Sequence, residues 1–310
     1  MDGDPPGEPQ RDSRFASIAA NGLTFGYLEA GHGPLVLCLH GFPDGPATFD
    51  HLLAHLASEG YHAVAPATRG IAPTSVPADG DYSPLQLGRD ALALIDAFGE
   101  TSAVLIGHDW GAISAYAAAN LAPGRIDKIV TISIPHPRAI RPSFRLMTHG
   151  WHFAMLPIPF VARWLAGRND FALLRYFRRL WSPDMRCSTD QMADWLASYR
   201  QPGTLTAALG YYRALMRTIA AVRGEAHKAL FRRTSVPTLC FAASPGAVFD
   251  VATFERAREA FTGSYELVKL PGAGHSPHLE PSRHLLEARI VDFLFTPPLG
   301  NEVWDSTWQT

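Results

Sequence analysis

Three short segments carry residues whose types and order could do nucleophilic chemistry. In SAVLIGHDWGAISAYAAA an apolar run passes into Gly107-His108-Asp109-Trp110-Gly111 and then directly into an Ala-rich stretch. That is the layout of a strand, a sharp turn and a helix, with a carboxylate at the apex of the turn. Glycines on both sides let the turn pack tightly, and the helix N-terminus behind it offers amides and a dipole that favour a carboxylate. An isolated HDWG would be accounted for by Asp109 as an ordinary helix cap. Two further segments argue for more. His40-Gly41-Phe42-Pro43-Asp44 ends an earlier apolar run, and its Gly-Xaa-Pro turn can aim the Phe42 N–H at the same point. With the Trp110 N–H it would form an oxyanion hole. Pro271-Gly272-Ala273-Gly274-His275 follows the last apolar run and supplies a histidine downstream of Asp109. The chain thus offers a nucleophile, a base and two amide donors.

These segments need a scaffold that brings them to one edge. Short apolar runs at 34–40, 62–68, 102–108, 128–134, 238–244 and 265–271 alternate with stretches of helical periodicity, which predicts a mostly parallel sheet covered by helices on both faces. FASIAA and GLTFGYLEAG, joined by Asn21-Gly22, read as an antiparallel hairpin at its start, giving about eight strands. Between 134 and 238 no strand pattern occurs, a gap far too long for a crossover loop. Apolar residues there recur three and four apart, so 138–230 is expected to be a helical cap over the carboxyl ends of the strands. Residues 15–137 and 231–296 then form the α/β core, 1–14 a disordered start and 297–310 a tail. The Arg175, Arg178 and Arg179 cluster reads as a solvated helix face.

Composition narrows the class. Of 310 residues, 47% are hydrophobic and 18% charged, with a formal net charge of −2. No overall field would recruit nucleic acid or an anionic membrane. Cys38, Cys187 and Cys240 are far apart, two of them inside apolar runs, so neither disulfides nor a metal site is expected. No signal-peptide core or run of about 18 apolar residues occurs, which points to a cytoplasmic protein.

HGFPD, GHDWGA and GAGH in this order resemble the α/β-hydrolase superfamily, in particular its branch with an aspartate nucleophile, which includes epoxide hydrolases and dehalogenases. The resemblance runs from about Phe15 to Leu294, and takes in Arg69-Gly70, Pro135-His136-Pro137 and Trp181-Ser182-Pro183. It implies an α/β-hydrolase fold with Asp109 as nucleophile, His275 as base, Phe42 and Trp110 as oxyanion hole, no cofactor and no metal. Haloalkane dehalogenases usually carry Asn after His-Gly, where this chain has Phe42 as epoxide hydrolases do. QPGTLTAALGYYRAL resembles the epoxide-hydrolase segment whose tyrosine donates to the epoxide oxygen, which makes Tyr212 the donor. The residue-level alternative for Tyr212 is an aromatic of the cap interior, and Tyr211 is expected to pack.

Two departures stand beside these matches. The second cap tyrosine of epoxide hydrolases would fall near His149-Gly150, where there is none. At the usual acid position the chain has Ser244-Pro245-Gly246, so the position falls on Pro245, and Pro135-His136-Pro137 offers no carboxylate at the alternative one. Asp250 is the nearest candidate acid, with helix capping as its alternative role. The expected activity is opening of an apolar or aromatic epoxide to a diol through an Asp109 ester. A dehalogenase, or a degenerate hydrolase fold that binds a ligand or rearranges it, remains as a competing reading. The expected partner is a small-molecule substrate, with neither nucleic acid nor a membrane as partner, and a homodimer is compatible with the sequence.

Overall fold

The computed structural model of the chain describes residues 15–243 and 248–296. The expectations for 1–14, for 297–310 and for Pro245 lie outside the described residues. The apolar runs form eight strands: β1 (Ala16–Ala20), β2 (Leu23–Ala30), β3 (Leu35–Leu39), β4 (His62–Pro66), β5 (Ala103–His108), β6 (Ile126–Ile132), β7 (Thr238–Ala243) and β8 (Tyr265–Leu270). They make one sheet in the order β1-β2-β4-β3-β5-β6-β7-β8. β1 and β2 are the hairpin, β2 lies antiparallel to β4, and every later pairing is parallel. Strands β3, β5 and β7 are buried at every residue, as expected of parallel strands covered on both faces, which is why they read as unbroken apolar runs.

Helices α1 (Asp50–Ser58) and α12 (Arg283–Phe295) cover one face, packing Leu52, Leu56, Leu286 and Ile290 against Val36, Ile106 and Phe241. Helices α2 (Pro84–Ala97) and α3 (Trp110–Leu121) cover the other with Leu94, Ile95, Ala115 and Ala118 against Leu37, Leu105 and Ile129. After β3 the chain moves to β4 on one side and then crosses back to β5 on the other, so the order reverses between β3 and β5. Their register pairs Leu39 with Gly107. The loop after β3 and the turn after β5 therefore emerge side by side at the switch point, where open α/β sheets place their ligands.

Between β6 and β7 lie seven helices and no strand: α4 (Phe144–His149), α5 (His152–Met155), α6 (Pro159–Gly167), α7 (Ala172–Trp181), α8 (Thr189–Arg200), α9 (Thr204–Ala220) and α10 (Glu225–Phe231). Within this insertion α10 packs on α2 and α3, and Asn120 donates from Nδ2 to the carbonyls of Ala229 and Arg232 at 2.9 and 3.1 Å. The last helix of the 138–230 segment thus packs on the helices that cover the sheet as well as on α9. Helical periodicity shows that a helix has an apolar face but not which body that face meets.

Candidate active site

The turn after β5 puts Asp109 at φ +51° and ψ −115°, a conformation that costs a non-glycine residue on the order of 1–3 kcal/mol and persists only where packing dictates it. Here packing does. A Cβ on Gly111 would stand 1.8 Å from the Leu39 carbonyl oxygen, and one on Gly41 would stand 2.3 Å from Cβ of Asp109. The two glycines let β3 and its loop close directly on the Asp109 turn. In this embrace the Phe42 N–H donates to Oδ1 of Asp109 at 2.8 Å, and Oδ2 lies 3.3 Å from Nε2 of His275. The Trp110 amide, at the start of α3, makes no hydrogen bond to the carboxylate. Burial alone would push the Asp109 carboxyl up, but the His275 ring and the Phe42 amide overcome it and hold the group below the usual carboxylate value. The candidate nucleophile is thus an anion, with one oxygen held by an amide and the other facing an imidazole.

His275 is held through its backbone. Gly274 N–H donates to Oε2 of Glu280 at 2.6 Å, His275 N–H to the Trp181 carbonyl at 2.7 Å, and Ser276 N–H to Oγ of Ser182 at 2.8 Å. The His275 carbonyl accepts from Nε2 of His108 at 2.9 Å. Burial, reinforced by the neighbouring His275, pushes the His108 ring down to about 4, so near neutral pH His108 is an uncharged strut. Two of the three amide anchors come from Trp181-Ser182, at the end of α7 in the cap insertion. His40 ties down the other loop, accepting from Thr68 N–H at 3.0 Å and lying 3.1 Å from the Gly41 carbonyl.

Tyr212, on α9, is 2% exposed. Its ring meets Phe42 and Trp110 edge to face at 5.2 and 5.1 Å. Burial, with the nearby Asp109 charge adding to it, keeps its O–H well above the ordinary phenol value, so it stays a proton donor. Tyr211 turns away and donates to the Arg69 carbonyl at 2.8 Å, a packing role.

Asp250 is not brought to His275. It is the N-cap of α11 (Val251–Arg256), accepting from the Thr253 N–H at 2.9 Å and from the Thr253 hydroxyl at 2.6 Å. Among the described residues Asp109 is the sole carboxylate within 4.0 Å of a His275 ring nitrogen. The candidate acid is thereby corrected to a helix cap, because the hydroxyl and amide three residues on satisfy the carboxylate locally. Asp250→Ala should lower unfolding stability by about 1 kcal/mol while the rate of ester hydrolysis stays unchanged. Thermal melts with single-turnover kinetics check this, and selective loss of hydrolysis would restore Asp250 to the chemistry.

The arginine cluster is corrected as well. Arg178 is 5% exposed and donates from Nη1 to Oδ1 of Asp44 at 2.5 Å, which joins α7 to the His40–Asp44 loop. Arg175 pairs with Asp170, and Arg179 is exposed. No local pattern could distinguish Arg178, since its partner lies 134 residues away.

His152, which sequence reasoning did not single out, lies at the start of α5 and is 3% exposed. Its ring centre is 4.8 Å from Trp181 and 6.1 Å from Tyr212. Burial pushes the ring down to about 4 against the pull of the Asp109 charge. It is a neutral imidazole in the first turns of the cap insertion, two residues from the Gly150 that the epoxide-hydrolase pattern aligns with its missing tyrosine.

A strand-turn-helix elbow on a switch-point sheet, with a histidine loop after the last strand, is the layout of an α/β-hydrolase. Residues 34–282 match the α/β-hydrolase fold family model. The chain belongs to that family and is a hydrolase whose relatives place it in the epoxide hydrolase-like branch. It is 28% identical over 295 residues to epoxide hydrolase A of Mycobacterium tuberculosis, covering 83% of this chain and 90% of that one. Over 119 residues it is 44% identical to an epoxide hydrolase of Caballeronia sordidicola, a match spanning 38% of this chain and 36% of the relative. The crystal structure of epoxide hydrolase A from Mycobacterium thermoresistibile superposes with a TM-score of 0.75 at 26% identity, covering 90% of this chain and 97% of that one.

Proposed function

We propose that the protein opens apolar or aromatic epoxides to diols through an ester on Asp109. The observation that carries this reading is the placement of Tyr212, a phenol held protonated against Phe42 and Trp110 beside the Asp109 carboxylate. Oδ2 of Asp109 attacks a ring carbon, the carbon–oxygen bond of the ring breaks, and the Tyr212 O–H protonates the departing alkoxide, a poor leaving group otherwise. His152 supplies a second polar group for that oxygen. His275 then takes a proton from a water that attacks the ester carbon. Oδ1 becomes the oxyanion, already seated on the Phe42 N–H. Collapse breaks the Cγ–Oδ2 bond, the His275 proton passes to the departing diol oxygen, and the proton left on the new carboxyl returns to Tyr212, leaving one water oxygen on an ionised Asp109. The aromatic walls, Phe42, Trp110, Phe177 and Trp181 among them, favour an apolar substrate.

Product analysis on an aryl epoxide, an alkyl epoxide, a haloalkane and a haloacetate tests the reading. Diol from the epoxides without halide release is expected, and Tyr212→Phe should slow ester formation by roughly 10- to 10³-fold, the loss of one general-acid donor. Halide release with no diol from any epoxide would make the protein a dehalogenase.

A further inference from the structure

Helix α6 has its apolar residues on the wrong side for a packed helix. It buries Ala162 and Ala166, at 0% exposure, and presents Phe160 at 88%, Trp164 at 59%, Val161 at 47% and Leu165 at 37%. The exposed four form two rows at i and i+4, a continuous outward stripe. Arg163 and Arg168 are exposed on the same short helix and its end, and the Arg168 guanidinium lies over the Trp164 ring at 4.2 Å. Phe144 and Met147 of α4 are also exposed, at 77% and 69%. From 138 to 169 the sequence carries five arginines and not one Asp, Glu or Lys. The whole-chain balance of −2 conceals this local excess of positive charge.

We infer that α6 docks the protein on an anionic lipid surface, lying in the headgroup plane with Phe160, Val161, Trp164 and Leu165 inserted and Arg163 and Arg168 on lipid phosphates. An apolar stripe rich in aromatics with arginines beside it is the pattern of an interfacial helix, and among the described residues no helix is long and apolar enough to cross the membrane. Charge selects this occupant. A second copy meeting the same stripe by two-fold symmetry would set Arg163 and Arg168 against their own counterparts, with no carboxylate between 138 and 169 to neutralise them. The last described residues lie at the opposite end of the sheet. There Nζ of Lys128, at the start of β6, holds the carbonyls of Phe293, Leu294 and Thr296.

The test is co-sedimentation of the full chain with phosphatidylcholine vesicles and with mixed phosphatidylcholine–phosphatidylglycerol vesicles, at low and high salt. Binding to the mixed vesicles that weakens with salt is expected. Arg163→Gln with Arg168→Gln should weaken it roughly 30-fold at low salt, and Phe160→Ser with Trp164→Ser should abolish it, both with unchanged melting temperature because these side chains are exposed. No sedimentation with mixed vesicles, equal binding to both vesicle types, or binding indifferent to the substitutions would each overturn the inference. So would a dimer in sedimentation velocity that Phe160→Ser and Trp164→Ser convert to monomer, since the stripe would then belong to a second copy.

Discussion

Asp109→Asn should leave a folded protein whose turnover falls by roughly 10⁴- to 10⁶-fold, the loss expected when a covalent nucleophile is removed. The fold should survive because the carboxylate lies in the site and the asparagine amide has nearly the same size and shape. Asp109→Ala guards against slow hydrolysis of the introduced amide and should be equally inactive. The decisive measurement is a single turnover of the unmutated protein in heavy-oxygen water. If Oδ2 attacks the epoxide, the first diol carries an oxygen from Asp109 and the solvent label appears in the protein. Solvent label in the first diol would mean that water attacks directly, with Asp109 acting only as a base.

His275→Gln should still form the ester and then stall, its hydrolysis slowed by roughly 10⁴-fold or more, so that the intact protein gains the mass of one substrate. The loop should keep its place without the imidazole. Its bonds to Glu280, Trp181, Ser182 and His108 run through the amides of Gly274, His275 and Ser276 and the carbonyl of His275. The same experiment on the unmutated protein should show a measurable standing level of ester. No carboxylate of the described residues other than Asp109 itself reaches the His275 ring, and residues 244–247, Ser-Pro-Gly-Ala, contain none. A supporting acid is worth up to about 10⁴-fold in related triads, so ester hydrolysis should be the slower half-reaction. An inert His275→Gln protein with no adduct would place the histidine in the first step instead.

Short stretches of chain encode much of this protein directly. A buried parallel strand reads as an apolar run and the β1–β2 hairpin is marked by its Asn21-Gly22 turn, so all eight strands were legible. A strand running through Gly-His-Asp-Trp-Gly into an Ala-rich helix has few ways to fold, so the elbow and the loop that meets it could be placed. Departures from the familiar pattern were equally local: Pro245 cannot be an acid whatever its surroundings.

Tertiary structure decided everything that depends on which face meets which. Arg178 looked like its neighbours Arg175 and Arg179 until α7 carried it onto Asp44. His152 looked like one more histidine until α5 set it beside Tyr212 and Trp181. Asp250 lay close enough in sequence to serve His275, yet a cap bond three residues away satisfied it first. Helix α10 lies within the expected 138–230 cap in sequence, yet it packs on α2 and α3 in space. In α6 the apolar residues that periodicity assigns to a buried face stand in the open, because the side packed against the protein is lined by Ala162 and Ala166. Hydrophobic periodicity records that a helix has two unlike faces. Only the packing of inserted helices against a distant sheet settles which face, and which charged side chain, is taken out of water.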